Sequence, residues 1–360
     1  MMKTTFKLAR KTTFYLGLLF LALLVTNCSN DDDQVTPEPP DYEFGEDFEE
    51  VDDLPEVTDE DPEFEEPETG SIEASEDTDA LLVDVNEGEE ISEENQAKLN
   101  SVSSYNETLP ASAEESATSL TDEEIETILD AEELDEDLQS VQAELENAPQ
   151  EIKNLLPVLN FDFDVDEEMA QAEFSGVAGT KLSISREDIV AQSVNGDCIA
   201  AADEAYDEVI ADLQSQRDTQ LASVESNYDR RLSEAETRNE ARMEALDEYR
   251  TEVREMIINT SSQLLAAAVI AEDNDNDDLA KQLRLLSLFY AIDGRSKLNE
   301  WYTAASERIA STYEAEQATI EGIKEDREAD VMAAYEAAED DAQSVYNNVT
   351  ASCHNQGSGN

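Results

Sequence analysis

Three cysteines, one histidine and two runs of alternating aspartate are the residues of this 360-residue chain whose chemistry goes beyond packing and solvation. Cys353 beside His354 has the makings of a thiolate–imidazole pair, in which a neighbouring base activates the sulfur. No orienting third group stands at a fixed spacing from it, and a disulfide would consume the thiol. An enzyme is therefore not expected. Asp162-x-Asp164-x-Asp166 and Asp273-x-Asp275-x-Asp277 alternate like the oxygen ligands of a calcium loop. The first places Glu173 at loop position 12 but Glu167 where the sharp turn needs Gly. The second has Asp278 at position 6 and Arg284 at position 12, so neither completes the pattern. No metal site or cofactor is expected, and divalent cations should bind weakly at most.

The charge narrows the partners. Ninety acids against 22 bases leave −68. Within that, 45 acids and one base (Lys98) give −44 for residues 29–150, and 45 acids and 17 bases give −28 for 151–360. Nucleic acid and anionic membrane surfaces need clustered Lys and Arg, so both are excluded as partners.

At the N-terminus, Lys3, Lys7, Arg10 and Lys11 precede an apolar run from Phe14 to Val25. A basic segment followed by about a dozen apolar residues has the proportions of a signal peptide and is too short to span a bilayer. The run leads into Val25-Thr26-Asn27-Cys28, which resembles a bacterial lipobox, with Asn27 standing where Gly, Ala or Ser is usual. Ser29-Asn30-Asp31-Asp32-Asp33 then resembles the acid-rich export signal of Bacteroidota-type surface lipoproteins. The resemblance covers about 33 residues. It implies removal of residues 1–27, a lipid on Cys28 as the membrane contact, and an outer-membrane location, surface-exposed or alternatively facing the periplasm.

From residue 28 to 118 the chain is rich in Glu, Asp, Pro, Ser and Thr, and it is expected to be a disordered acidic tether, since it buries too little surface to offset its ordering entropy. Residues 119–196 read as a small, mostly helical segment. Thr121 to Glu124 forms a capping box, and Ile125, Ile128, Leu129, Leu138, Val141 and Leu145 follow at helical spacing up to Pro149. Ile152 to Leu156 reads as a second short helix, and 161–165 and 181–185 alternate like strands, with Gly176 and Gly179 between them.

Residues 197–354 carry an eleven-residue repeat, followed by a disordered tail, 355–360. Ile210, Leu221, Leu232 and Met243 recur at block position five, and Leu213, Val224, Ala235 and Leu246 at position eight. In the second array, Ile309, Ile320, Val331 and Ala342 share position eight, and Tyr302, Tyr313, Lys324, Tyr335 and Tyr346 share position one. A period of eleven gives about 3.67 residues per turn, hence long helices with little or slightly right-handed supercoil. The Asn- and Asp-rich run 272–278 favours a reversal. The midpoint of Cys198 and Cys353 falls inside it, at 275.5, which predicts an antiparallel coiled-coil hairpin closed at its open end by a disulfide in an oxidising compartment. Facing residues should then sum to about 551 or 552. Tyr206 would meet Tyr346, Arg217 Tyr335, Tyr228 Lys324, Asn239 Tyr313 and Arg250 Tyr302. The fold class is mainly α.

Near the turn the pattern becomes apolar all round: Leu264, Leu265, Val269 and Ile270 on one arm, Leu285, Leu286 and Phe289 on the other. Two paired helices bury one stripe each, so these faces need more cover. A second copy, the 121–146 helix folded back, or a different protein would supply it. Asp293-Gly294 would also allow the return helix to break. The expected function is a lipid-anchored structural or interaction lipoprotein carrying a rigid rod with an apolar tip. The alternatives are a holdase-type client-binding module and a hairpin adaptor for an envelope transport complex.

Overall fold

The computed structural model describes residues 42–58, 60–87, 91–161 and 196–355. The described residues from Phe44 onward form one compact unit. In chain order its elements are α1 (Gly45–Phe48), β1 (Ser71–Glu73), α2 (Glu76–Glu87), α3 (Glu93–Asn106), α4 (Ala111–Ser119), α5 (Asp122–Asp130), α6 (Glu136–Glu146), α7 (Gln150–Lys153), β2 (Val158–Asn160), α8 (Gly196–Asp273) and α9 (Asp277–Asn355).

The long helices α8 and α9 form the expected antiparallel hairpin. Neither contains proline, and at about 1.5 Å per residue each is about 115 Å long. The reversal is three residues. Asp275 takes a left-handed φ of 59°, which its short polar side chain tolerates better than most. Asn276 N–H donates to the Ala271 carbonyl at 2.9 Å, closing the end of α8.

The register follows the expected sum of 552. The Tyr206 and Tyr346 rings are 5.1 Å apart. Arg217 lies 4.7 Å from the centre of the Tyr335 ring, Lys324 4.4 Å from Tyr228, and Arg250 4.3 Å from Tyr302. Position eight faces inward on both arms: Leu213, Val224, Ala235 and Leu246 are buried on α8, and Ile309, Ile320, Val331 and Ala342 on α9. Position five differs from expectation. Ile210, Leu221, Leu232 and Met243 are only half buried. The second inward column of α8 is position four instead, where Arg231 and Arg242 are buried. Hydropathy passes over that column because its middle is polar.

Gly294 does not break α9. The helix continues through it, and the missing side chain lets the arms close: a Cβ there would lie 2.8 Å from Ile257 Cγ2.

The disordered tether expected to run through residue 118 does not hold from Phe44 onward. After α1, residues 49–58 and 60–73 form an extended strap along the hairpin, and the described residues between 76 and 157 form six short helices over its tip. The single helix expected over 121–146 is two. Its capping box forms as read, with Glu124 N–H donating to Thr121 Oγ1 at 3.2 Å and Thr121 N–H to Glu124 Oε2 at 2.8 Å. The helix stops at Asp130, and the freed carbonyls of Ala131 and Glu132 accept from the buried Arg295 guanidinium at 2.7 and 2.9 Å. Asp135 caps the second helix through Leu138 N–H. The short helix expected over 152–156 forms earlier, as α7. The strands β1 and β2 pair antiparallel, Ile72 opposite Leu159. Residues 1–41, with Cys28 and the signal region, lie outside the described residues. So do Asp162 to Glu173, the strand readings beyond Phe161, Gly176, Gly179 and residues 356–360.

Candidate functional site

Three features position the side chains that matter: the clasped base, the groove under the strap, and the covered tip. At the base, Cys198 and Cys353 form a disulfide with their Cα atoms 5.9 Å apart. Both are buried beside Ala202. Cys353 is thereby committed to a cross-link and unavailable as a nucleophile. Phe48 packs on Tyr206, ring centres 6.4 Å apart, where the strap begins.

From there the strap climbs parallel to α8. Leu54 N–H donates to Gln216 Oε1 at 2.9 Å, and Gln220 reaches the Pro55 carbonyl at 3.3 Å. Asp61 takes Arg230 and, at 3.0 Å, Arg231. Phe64 lies under Arg238, 4.8 Å away. Glu66 accepts from Arg242 at 2.7 Å, and Ile72 N–H donates to Tyr249 Oη at 3.0 Å. Residues 48 to 72 thus track α8 from 206 to 249. That is 24 strap residues over about 65 Å of helix, about 2.7 Å each, an extended chain. Gly70, with φ +71°, makes the turn into β1; a Cβ would lie 2.5 Å from the Asn160 carbonyl oxygen.

The groove is cationic at its centre. Glu316, 2 % exposed, accepts from Arg238 at 2.8 Å and stands 2.7 Å from Arg242 Nη1. Two guanidiniums share that one hairpin carboxylate, and the strap's Glu66 supplies the second. Hydrogen bonds from Arg242 hold the Glu66 carboxyl below its usual range, and those from Arg230 and then Arg231 do the same for Asp61.

At the tip, Leu264, Leu265, Leu285, Leu286 and Phe289 do not form an open contact surface. They are buried in one cluster with Leu81, Leu99, Val102, Ile125, Ile128 and Leu145 from the short helices. The cover is in part the folded-back 121–146 segment and in part residues 76–119. Tyr105 meets Phe289 edge-on with ring centres 6.0 Å apart, and Arg254 holds Asp130 through two bonds of 2.8 and 2.7 Å. Val269 and Ile270 remain 44 % and 48 % exposed. Burial pushes the Tyr290 phenol up to about 12 and raises the Asp293 carboxyl, which pairs with Lys297 at 2.8 Å. In the second aspartate run, Arg284 is 3.0 Å from Glu272 and tethers the turn. Among the described residues no group of His, Cys, Asp and Glu is arranged to hold a metal ion.

The groove residues Arg230, Arg231, Arg238, Arg242 and Glu316 are missing from the sequence reading. Two signals were available. Gln220, Arg231 and Arg242 stand eleven apart, in phase with the repeat. Pro-Glu recurs at 55–56, 62–63 and 67–68, about one strap step per eleven-residue block. Among the described residues no helix is long and apolar enough to cross a membrane. Comparison with protein-family models, characterised proteins and solved structures finds no match to this chain.

Proposed function

We propose that the chain is a lipid-anchored cell-envelope lipoprotein that works as a rigid spacer, holding a folded tip away from the membrane that carries Cys28. The clasp carries this reading. A buried disulfide across 155 residues of sequence belongs to an oxidising compartment outside the cytoplasm, which agrees with the signal-like N-terminus and the lipobox-like Val25 to Cys28. Chain length supports the direction. Fifteen residues lie between Cys28 and Phe44, a span of at most about 55 Å of extended chain, and the strap starts beside Tyr206 near the clasped end. The capped tip lies about 100 Å further along the hairpin.

The capped tip, with Val269 and Ile270 at its crest, is the surface offered for self-association or docking on the outer-membrane face. A holdase would need an open apolar surface, and the apolar faces of the tip lie under the short helices. Growth with an alkyne fatty acid tests the anchor: wild-type protein should become labelled and Cys28→Ser should not. Equal labelling of both rejects the lipoprotein reading. Protease added to intact cells then separates surface display from periplasmic residence.

A further inference from the structure

We propose that the strap groove is an exchange surface, in which the strap of a second copy of this chain replaces the copy's own. The groove first demands an acidic occupant. Arg230, Arg231, Arg238 and Arg242 line one stretch of α8, and the hairpin's own carboxylates there are Glu234 on Arg230, 3.0 Å away, and Glu316 shared by Arg238 and Arg242. Asp61 and Glu66 complete the balance from the strap. The occupant must also be extended and in step with an eleven-residue repeat, as the Pro-Glu punctuation of residues 55–68 is. A second copy brings that segment unchanged, and every contact made within one chain is reproduced between two.

The connections permit the exchange. The strap joins the rest of the unit through the turn at Gly70, so it can swing out from residue 44 to about 68 while β1, the short helices and the disulfide stay in place. Its carboxylates face water, Asp61 with 56 % and Glu66 with 70 % of the side chain exposed, while Arg231 and Arg242 lie beneath them at 4 % and 7 % and become solvated when the strap leaves; salt weakens the pairing. Its buried apolar anchors are few: Phe48 and Leu54. The receiving groove belongs to a hairpin that is cross-linked at its base. Exchanging an identical element between copies is a low-cost route to a dimer, and it brings the Gly70 turn of one copy beside the α8 groove of the other.

The test uses full-length chains and a short bismaleimide, which leaves the native disulfide intact. Gln216 Nε2 donates to Asp53 Oδ1 at 2.7 Å, so a double variant Asp53→Cys/Gln216→Cys should join within one chain. Asp53→Cys chains are then mixed with Gln216→Cys chains, held briefly at about 1 M sodium chloride, where the Debye length is about 3 Å, and returned to low salt. Exchange predicts two-chain products, several-fold more abundant after the salt step. A parallel mixture of Asp53→Cys with Glu255→Cys chains measures random collision, since Glu255 lies about 60 Å further along the rod. A double variant that joins internally, beside mixed single variants that join no more than the Glu255→Cys control, overturns the proposal.

Discussion

Gly294→Ala places two opposing effects on one atom. Alanine in the interior of a helix is favoured over glycine by about 1 kcal/mol, so in an isolated α9 the substitution would stabilise. Here the new Cβ would lie 2.8 Å from Ile257 Cγ2 and 3.0 Å from its Cγ1 and Cδ1. Those atoms belong to a fully buried, β-branched side chain, stiff at χ1, so relief requires two long helices to separate locally. Overpacking of this kind costs about 1–3 kcal/mol, and a net loss of about 1 kcal/mol is expected. Ile257→Ala alone should cost about 2–5 kcal/mol as a core truncation. In that background the added methyl meets space, and Gly294→Ala should stabilise by about 1 kcal/mol. The two changes are therefore coupled by about 2 kcal/mol. Urea unfolding followed by the emission of Trp301, the single tryptophan and two turns along α9, reads all four corners of the cycle. If Gly294→Ala stabilises the wild-type protein as much as the Ile257→Ala variant, close approach of the arms is not what this glycine provides.

Two further outcomes follow from the clasp and the strap. Reducing Cys198–Cys353, which closes a loop worth about 5 kcal/mol on the chain-entropy account, should lower hydrogen-exchange protection most near Cys198, Ala202 and Val349, where local fraying adds to the global loss, and less around Ile257; equal loss along both arms would contradict it. Acid should act on strap and cap in opposite senses. Asp61 and Glu66 have carboxyls depressed below the ordinary 3.8 and 4.5, so they stabilise the docked strap at neutral pH and lose that contribution as the pH falls below those values. The Asp293 carboxyl is raised by burial above the ordinary 3.8, so the folded state binds a proton more readily and the cap gains stability as the pH falls from above toward that ordinary value. Limited proteolysis of residues 44–70, set against exchange at the amides near Asp293 from pH 7 to pH 3, should therefore show the strap loosening before the cap. Cleavage of the strap independent of pH would rule out the ionic latch.

The hairpin was legible because its evidence is periodic and paired. Two cysteines equidistant from an Asn/Asp turn set the register, and four of the five position-one layers then met at the sum of 552, three of them a cation against a tyrosine. The core was half legible for a physical reason. Hydropathy finds the column through Leu213, Val224, Ala235 and Leu246, but the neighbouring column runs through Gln220, Arg231 and Arg242 and faces Glu316, whose burial depends on partners from elsewhere in the chain. A buried charge is tolerated only when paired, so the column becomes intelligible once Glu66 is known to stand over it.

The strap escapes a sequence reading through the same gap. Residues 29–150 at −44 and 151–360 at −28 should repel as smooth charge distributions, and low hydrophobicity with high net charge is the usual signature of a chain that stays unfolded. That rule weighs a segment's burial against itself. Here the apolar partners of Ile72, Leu81, Leu99 and Ile125 lie on the hairpin tip, and the counter-charges of Asp61 and Glu66 sit on α8 at the phase of its repeat. Mean charge fixes the sign of the long-range field; the four arginines at 230, 231, 238 and 242 fix the contact, because a guanidinium a few ångströms away outweighs distant carboxylates screened by water and salt. The need for cover over Leu264, Leu285 and Phe289 was itself visible in their all-round apolarity. An acidic segment with isolated large apolar residues, beside a rod with an uncovered apolar end and arginines in phase, is a pair of complementary surfaces. Each half taken alone reads as disorder or as a docking face, and the fold consists in their meeting.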